Sequence, residues 1–229
     1  VFTSFAQGFS VPEFSRILSF PPPEFVNVED DFDLTEPQRV DNYEIGIRGN
    51  WDAVQVSLAA FYNWSDLGAT FSGERNRFQL TRAPIRIYGV EATLDVQPSD
   101  RWQLGGTVSW TEGEFENEAG DFEPLSSRDI QPIKFTAYVQ NVTLPGWRNR
   151  LQALIVGSRD RAAAAEVDNL GLDGYVVFDL ISQIDVGPGV LQIGVENLFD
   201  EQYFTPTSQV LGSRVNSFRT SARGRTISV

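Results

Sequence analysis

The chain reads as an all-β, antiparallel up-and-down transmembrane β-barrel. Three observations predict this: period-two alternation over runs of about ten residues, connections that alternate between short and long, and aromatic residues gathered at both ends of the runs. Alternation puts successive side chains on opposite faces of a strand, so one row meets lipid while the other stays wet.

The alternation is clearest in 53–64, where Val54, Val56, Leu58, Ala60, Tyr62 and Trp64 form an apolar row opposite Gln55, Ser57, Ala59, Phe61 and Asn63. Segment 88–97 sets Tyr88, Val90, Ala92, Leu94 and Val96 against Gly89, Glu91, Thr93, Asp95 and Gln97. Segment 102–111 sets Trp102, Leu104, Gly106, Val108 and Trp110 against Gln103, Gly105, Thr107, Ser109 and Thr111. Segment 175–186 follows less cleanly, with Val177 and Ile181 out of phase. No helical periodicity of comparable strength competes. The predicted strands are 1–9, 41–50, 52–64, 80–97, 102–114, 133–144, 148–159, 173–187, 189–198 and 219–229.

Short connections fall at Asn50-Trp51-Asp52, Pro98-Ser99-Asp100, Pro145-Gly146-Trp147 and Gly187-Pro188-Gly189; long ones fall at 10–40, 65–79, 115–132, 160–172 and 199–218. Tight turns on one rim and long loops on the other are the layout of a membrane barrel, unlike a soluble β-sandwich. Trp51, Trp102 and Trp147 sit at short turns, whereas Tyr43, Tyr62, Trp64, Tyr88 and Trp110 sit toward the long loops. Two such bands suit the two bilayer interfaces. All but Trp51 and Trp147 fall in an outward row by phase.

Composition narrows the function classes. Hydrophobic residues make up 41%, too few for a helical membrane protein and enough for a barrel. Cys and His are both absent, which removes disulfides, thiolate and His-based zinc sites and His-dependent nucleophile constellations. A net charge of −13 argues against nucleic acid. Met is absent even at position 1, as expected of a fragment or a processed chain. No apolar stretch is long enough for a membrane helix, and no signal-peptide pattern opens the chain.

Four stretches, in order, carry a resemblance: FAQGFSVPEF (5–14), NYEIGIRG (42–49), GVEATLDVQPSDRWQLGGTVSW (89–110) and VENLFDEQYFTP (195–206), with Asn197, Leu198, Asp200 and Tyr203 in the expected places. Together they resemble TonB-dependent receptors of the bacterial outer membrane. The segment 143–161 is most similar in texture to siderophore receptors of the hydroxamate–citrate, aerobactin-like group. The resemblance implies that residues 1–229 are the C-terminal portion of one receptor barrel, about ten of roughly 22 strands. The plug domain and energy-coupling box would lie outside the chain. ARGRTISV (222–229) resembles the start of a last strand without its terminal aromatic.

What the resemblance implies about function is active import of a ferric siderophore, with no catalysis and no cofactor, the iron arriving as a siderophore complex. The implied partners are the siderophore, the TonB–ExbB–ExbD complex acting through the missing part, and outer-membrane lipid, with the receptor a monomer. Short turns would face the periplasm and long loops the exterior. Receptors for cobalamin or sugar, and a passive porin, stand as alternatives; the lack of His weighs against a haem receptor and a barrel hydrolase. A soluble β-sandwich adhesion or lectin domain is a further alternative, which dependence on detergent would separate.

Glu44 and Arg48 share one inward row, and Glu91, Asp95 and Glu196 face inward by phase. Glu44, Arg48, Glu91 and Glu196 are the expected plug-facing wall; a lumen simply needing polar side chains is the other reading. Arg82, Arg159, Phe71 and Phe204 are the expected ligand contacts, because guanidinium groups read carboxylates well and rings pack on a chelator's carbon frame. Pairing of the arginines, including Arg75, Arg77, Arg86 and Arg161, with acidic loops stands beside that. Acidic residues crowd 23–41 and 112–123, where divalent-ion binding and a solvated external loop are both open readings, the solvated loop being the expectation.

Overall fold

The computed structural model describes residues 1–10, 37–72, 79–212 and 219–229. The described strands are β1 Phe2–Ser10, β2 Gln38–Asn50, β3 Val54–Ser72, β4 Gln79–Ser99, β5 Trp102–Glu116, β6 Phe122–Pro124, β7 Lys134–Leu144, β8 Trp147–Val156, β9 Tyr175–Val186, β10 Gly189–Glu196 and β11 Thr226–Ser228. They form one antiparallel sheet in the order β1-β2-β3-β4-β5-β7-β8-β9-β10-β11, with β6 hanging off β5. Every neighbour in that path is its neighbour in sequence apart from the β6 detour, so the sheet is an up-and-down meander. The first and last strands of the path do not pair, and the barrel is partial.

The sheet is a single layer turned inside out relative to a soluble domain. No large side chain is fully buried among the described residues, while Ile45, Leu58, Leu94 and Val176 are 57%, 42%, 47% and 42% exposed. Soluble proteins rarely expose so continuous an apolar band. Register explains it: Ile45, Ala60, Val90 and Trp110 stand opposite one another in turn, as do Ile47, Leu58, Ala92 and Val108. The facing polar row runs Arg48, Ser57, Thr93, Thr107, Thr136 across β2, β3, β4, β5 and β7. The alternation read from the sequence is the alternation of the sheet.

The short turns fall where expected. Gly146 and Gly187 have φ of 76° and 57°, the left-handed conformation a tight hairpin needs and a residue with Cβ resists. Toward the long connections Phe5 packs on Tyr43 at 5.1 Å and Tyr88 on Trp110 at 6.0 Å between ring centroids, and at the short turns Trp51 and Trp102 are exposed. Trp147 corrects its expected phase. By alternation it shares the row of Leu151 and Ile155, opposite Ile184, and its indole N–H donates to Ser182 Oγ on that same apolar face at 2.9 Å.

Several expected loops contain structure. β3, expected to end at 64, runs on to Ser72, and β4, expected at 80–97, runs Gln79–Ser99, so both extend well past the roughly ten residues needed to cross a bilayer. Their ladder survives Pro84 because two residues of β3, Asp66 and Leu67, bulge opposite it, so the missing N–H strands no partner. β6 takes up the edge of β5 that β7 leaves free beyond Ser109. The turn into it is built by Asn117, whose Oδ1 accepts from the amides of Ala119 and Asp121. Two short helices, α1 Arg161–Ala164 and α2 Pro206–Gly212, lie in the last two long connections. The strand expected at 148–159 stops at Val156, before Gly157-Ser158, and the one expected at 219–229 is reduced to β11.

Candidate functional site

Two constellations rise above ordinary sheet packing: a clasp between two long connections, and a set of interlocked groups on the polar face.

The clasp begins with strand phase. Glu112 and Glu114 prolong the apolar row of β5 past Trp110, so their carboxylates fall on the outward face just beyond the aromatic band. A charge there is stable only with partners. Arg86, directly opposite Glu114 on β4, donates to it from Nε at 2.6 Å and rests on the Phe122 ring of β6 at 3.9 Å. The connection after β8 supplies the rest. Arg159 is 5% exposed and donates to both Glu112 oxygens at 3.3 Å, to Ser127 Oγ at 2.8 Å and to the Leu125 carbonyl at 3.0 Å. Arg161 bridges Glu112, at 3.1 Å, and Glu114. Asp168 closes the far side by accepting from Ser126 Oγ and the Ser127 amide, each at 2.7 Å. On the opposite face of the same sheet edge, Leu125 and Ile130 pack against Ile85, Ile87 and Phe115.

The expectation of a solvated loop across 112–123 is therefore corrected at Glu112 and Glu114, which are buried. The strand continues through them, and three arginines answer their charge. Arg159, expected at the ligand, has its guanidinium committed to this clasp. Among the described residues no acidic group is arranged to hold a metal ion; Glu29 to Asp33 lie outside them, as do Arg75 and Arg77.

Burial pushes the Glu114 carboxyl up, but the hydrogen bonds and charges of Arg86 and Arg161 outweigh it and hold the group below the ordinary carboxylate range. A depressed folded value means that the stabilisation is fully present above the unfolded value and fades as pH falls through the folded one. Intrinsic-rate-corrected hydrogen exchange over 117–133 and 157–174 is expected to be flat from pH 7 to about 5 and to rise below about 4. Flat exchange down to pH 3 would mean that Glu114 does not hold the clasp.

On the polar face, Ser4 Oγ donates to Glu44 at 3.2 Å, and the Arg48 guanidinium stands 4.7 Å over the Phe2 ring, so these two expected wall residues sit together beside β1. Glu91 stands opposite Ala59 and Ser109, and Glu196 opposite Thr226; both are exposed. Phe204 lies in the connection after β10, with the Arg219 guanidinium 4.3 Å over its ring. Phe71 and Arg82 lie on the far extensions of β3 and β4, where only their backbone is described. Of the four expected ligand contacts, Arg159 and Phe204 have the partners given above, and the side chains of Phe71 and Arg82 lie outside the described ones.

The sequence reading passed over a tighter group. Tyr138 lies across Gly105, directly opposite on β5, and its hydroxyl donates to the Asp95 carboxylate on β4. A side chain at position 105 would collide with that ring. Arg150 of β8 stacks on Tyr138 with its guanidinium carbon 3.8 Å from the centroid. Gln152 donates to Asp179 at 3.0 Å, and Asp179 also accepts the Asn197 amide at 2.8 Å. Sequence alternation placed Asp95 inward, but nothing in the spacing marked it as one cluster with Tyr138 and Arg150.

The fold and its two faces define a membrane barrel, and a sequence model of the TonB dependent receptor-like β-barrel family matches residues 1–198. The chain belongs to that family. Among curated proteins it is 27% identical over 218 residues to a ferric aerobactin receptor of Escherichia coli, covering 90% of this chain and 28% of that protein. It is 29% identical over 185 residues to a ferric aerobactin receptor of Klebsiella pneumoniae, covering 80% of this chain and 24% of that one. Among solved structures it superposes on the copper transporter OprC with a TM-score of 0.80 at 20% identity, over 98% of this chain and 35% of that one. The chain spans about a quarter to a third of the length of these proteins.

Proposed function

We propose that these residues are the wall and part of the mouth of an outer-membrane receptor that binds a ferric siderophore outside the cell. The cargo is then passed inward with energy delivered by the TonB–ExbB–ExbD complex through parts of the receptor beyond this chain. The observation that carries the reading is the pair of relatives named ferric aerobactin receptor, aligned over most of this chain within a TonB-dependent family. The exposed apolar rows and two aromatic bands support a barrel immersed in lipid. In this orientation the short turns are periplasmic and the long connections, with the clasp, stand outside. No bond is made or broken in such a cycle.

The likeness to a copper transporter raises a bare metal ion as a second cargo. Copper favours thiolate, thioether and imidazole ligands. This chain contains no Cys, Met or His, so none of its own residues supplies those ligands. The test is uptake of radiolabelled ferric aerobactin by a strain lacking the gene and by the same strain carrying the full-length gene. Restored uptake is expected; restored uptake of cobalamin or copper in its place would sink the reading.

A further inference from the structure

Arg150 is out of place as a structural arginine. Its Nε is shielded from solvent, and among the described residues it has no hydrogen-bond partner and no carboxylate paired with it. An unmet buried donor is unfavourable. The nearby acids are engaged elsewhere: Asp95 accepts from Tyr138, and Asp179 from Gln152 and the Asn197 amide. Its neighbours in register are Gln140 and Ile181, neither of them charged. Meanwhile the guanidinium is fixed in place. It rests on the Tyr138 ring, the ring is seated over Gly105, and its hydroxyl is tied to Asp95. A planar cation stacked on an anchored ring, with its forked terminal N–H groups taken up by no described residue, is pre-organised for bidentate binding of a carboxylate.

We propose that Arg150, on the Tyr138–Asp95 platform, is a carboxylate-binding station in the lumen wall. Two sources can supply that group: an Asp or Glu of the same polypeptide outside residues 1–229, or a citrate-type siderophore in passage. Only the second rests on the transport reading.

A zero-length cross-link tests both. In the full-length receptor carrying Arg150→Lys, a water-soluble carbodiimide joins the introduced amine to a carboxylate in contact with it, and mass spectrometry of the digest identifies the partner. A cross-link to an Asp or Glu outside residues 1–229 in ligand-free protein supports the station with a polypeptide occupant. One that forms to ferric aerobactin only when that complex is added supports it with cargo. No cross-link in either state, or links to Asp95 or Asp179 alone, overturns the proposal. Adding Tyr138→Phe cuts the tie to Asp95 and is expected to lower the yield severalfold; an unchanged yield overturns the platform. The ligand-free arm requires no transport, so its outcome stands apart from that of the uptake experiment.

Discussion

Arg159→Met is expected to open the two clasped connections, 117–133 and 157–174, while leaving the strands paired. Removing one partner of a buried ion pair typically destabilises by about 3–5 kcal/mol, because the remaining charge is left without compensation. Here Glu112 would keep only Arg161, and Ser127 Oγ and the Leu125 carbonyl would lose their donor. A local destabilisation of that size raises the open population by more than a hundredfold. Limited proteolysis of the full-length receptor in detergent should cleave at these two connections and spare the barrel. Arg161→Met should act in the same direction but more weakly, since Arg161 is half exposed and solvent screens its pairs. Equal resistance of Arg159→Met and the parent protein would show that Asp168 and the Leu125–Ile130 contacts hold the connections by themselves.

The second large effect is expected at Asn197. It is 3% exposed and has φ of 51°, a conformation Asn tolerates better than other residues with a Cβ. Its amide nitrogen donates to the carbonyls of Glu201 and Arg223 at 2.9 and 3.2 Å, and its Oδ1 accepts from the Glu201 amide at 2.8 Å. Leu198 and Asp200 continue the lock: the Leu198 amide donates to the Phe178 carbonyl, and Asp200 accepts from the Arg225 amide one residue before β11. Asn197→Ala removes the three hydrogen bonds of its buried side chain and strains the backbone, a loss of roughly 1.5–4 kcal/mol at the usual net worth of each bond. The expected reading is a lower temperature for loss of the compact band on unheated gels, with early proteolysis ahead of β11. Asn197→Asp keeps the acceptor and should fall between; equal behaviour of all three proteins would remove the motif from the stability of this end.

The two faces, the four short turns and the meander order were legible because each follows from alternation and turn chemistry within about ten residues. The ends of the long strands were not. β3 continues over Ser65–Ser72, where the clean alternation of 53–64 is lost and nothing in the sequence separates strand from loop. Glu112 and Glu114 looked like part of a solvated acidic run, because two of their three neutralising arginines, Arg159 and Arg161, arrive from 47 residues further along the chain. The Arg150 platform was hidden for a similar reason. Its members Asp95, Tyr138 and Arg150 come from β4, β7 and β8, and Gly105 on β5 matters only through the register that places it opposite Tyr138. Single-residue phase shows which way each side chain points and says nothing of which ring will lie over which neighbour.

That last arrangement recurs. Phe2 stands opposite Gly46, Phe61 opposite Gly89 and Tyr138 opposite Gly105, and in each pair a side chain on the glycine would strike the ring. Each ring is therefore folded down into a notch of the adjoining strand, taking its room from the thickness of the sheet. The consequence is one of bore. Three of the bulkiest residues on the inner surface claim little of the channel's cross-section, and substituting any of those glycines would narrow the passage by the width of a ring that had nowhere else to go.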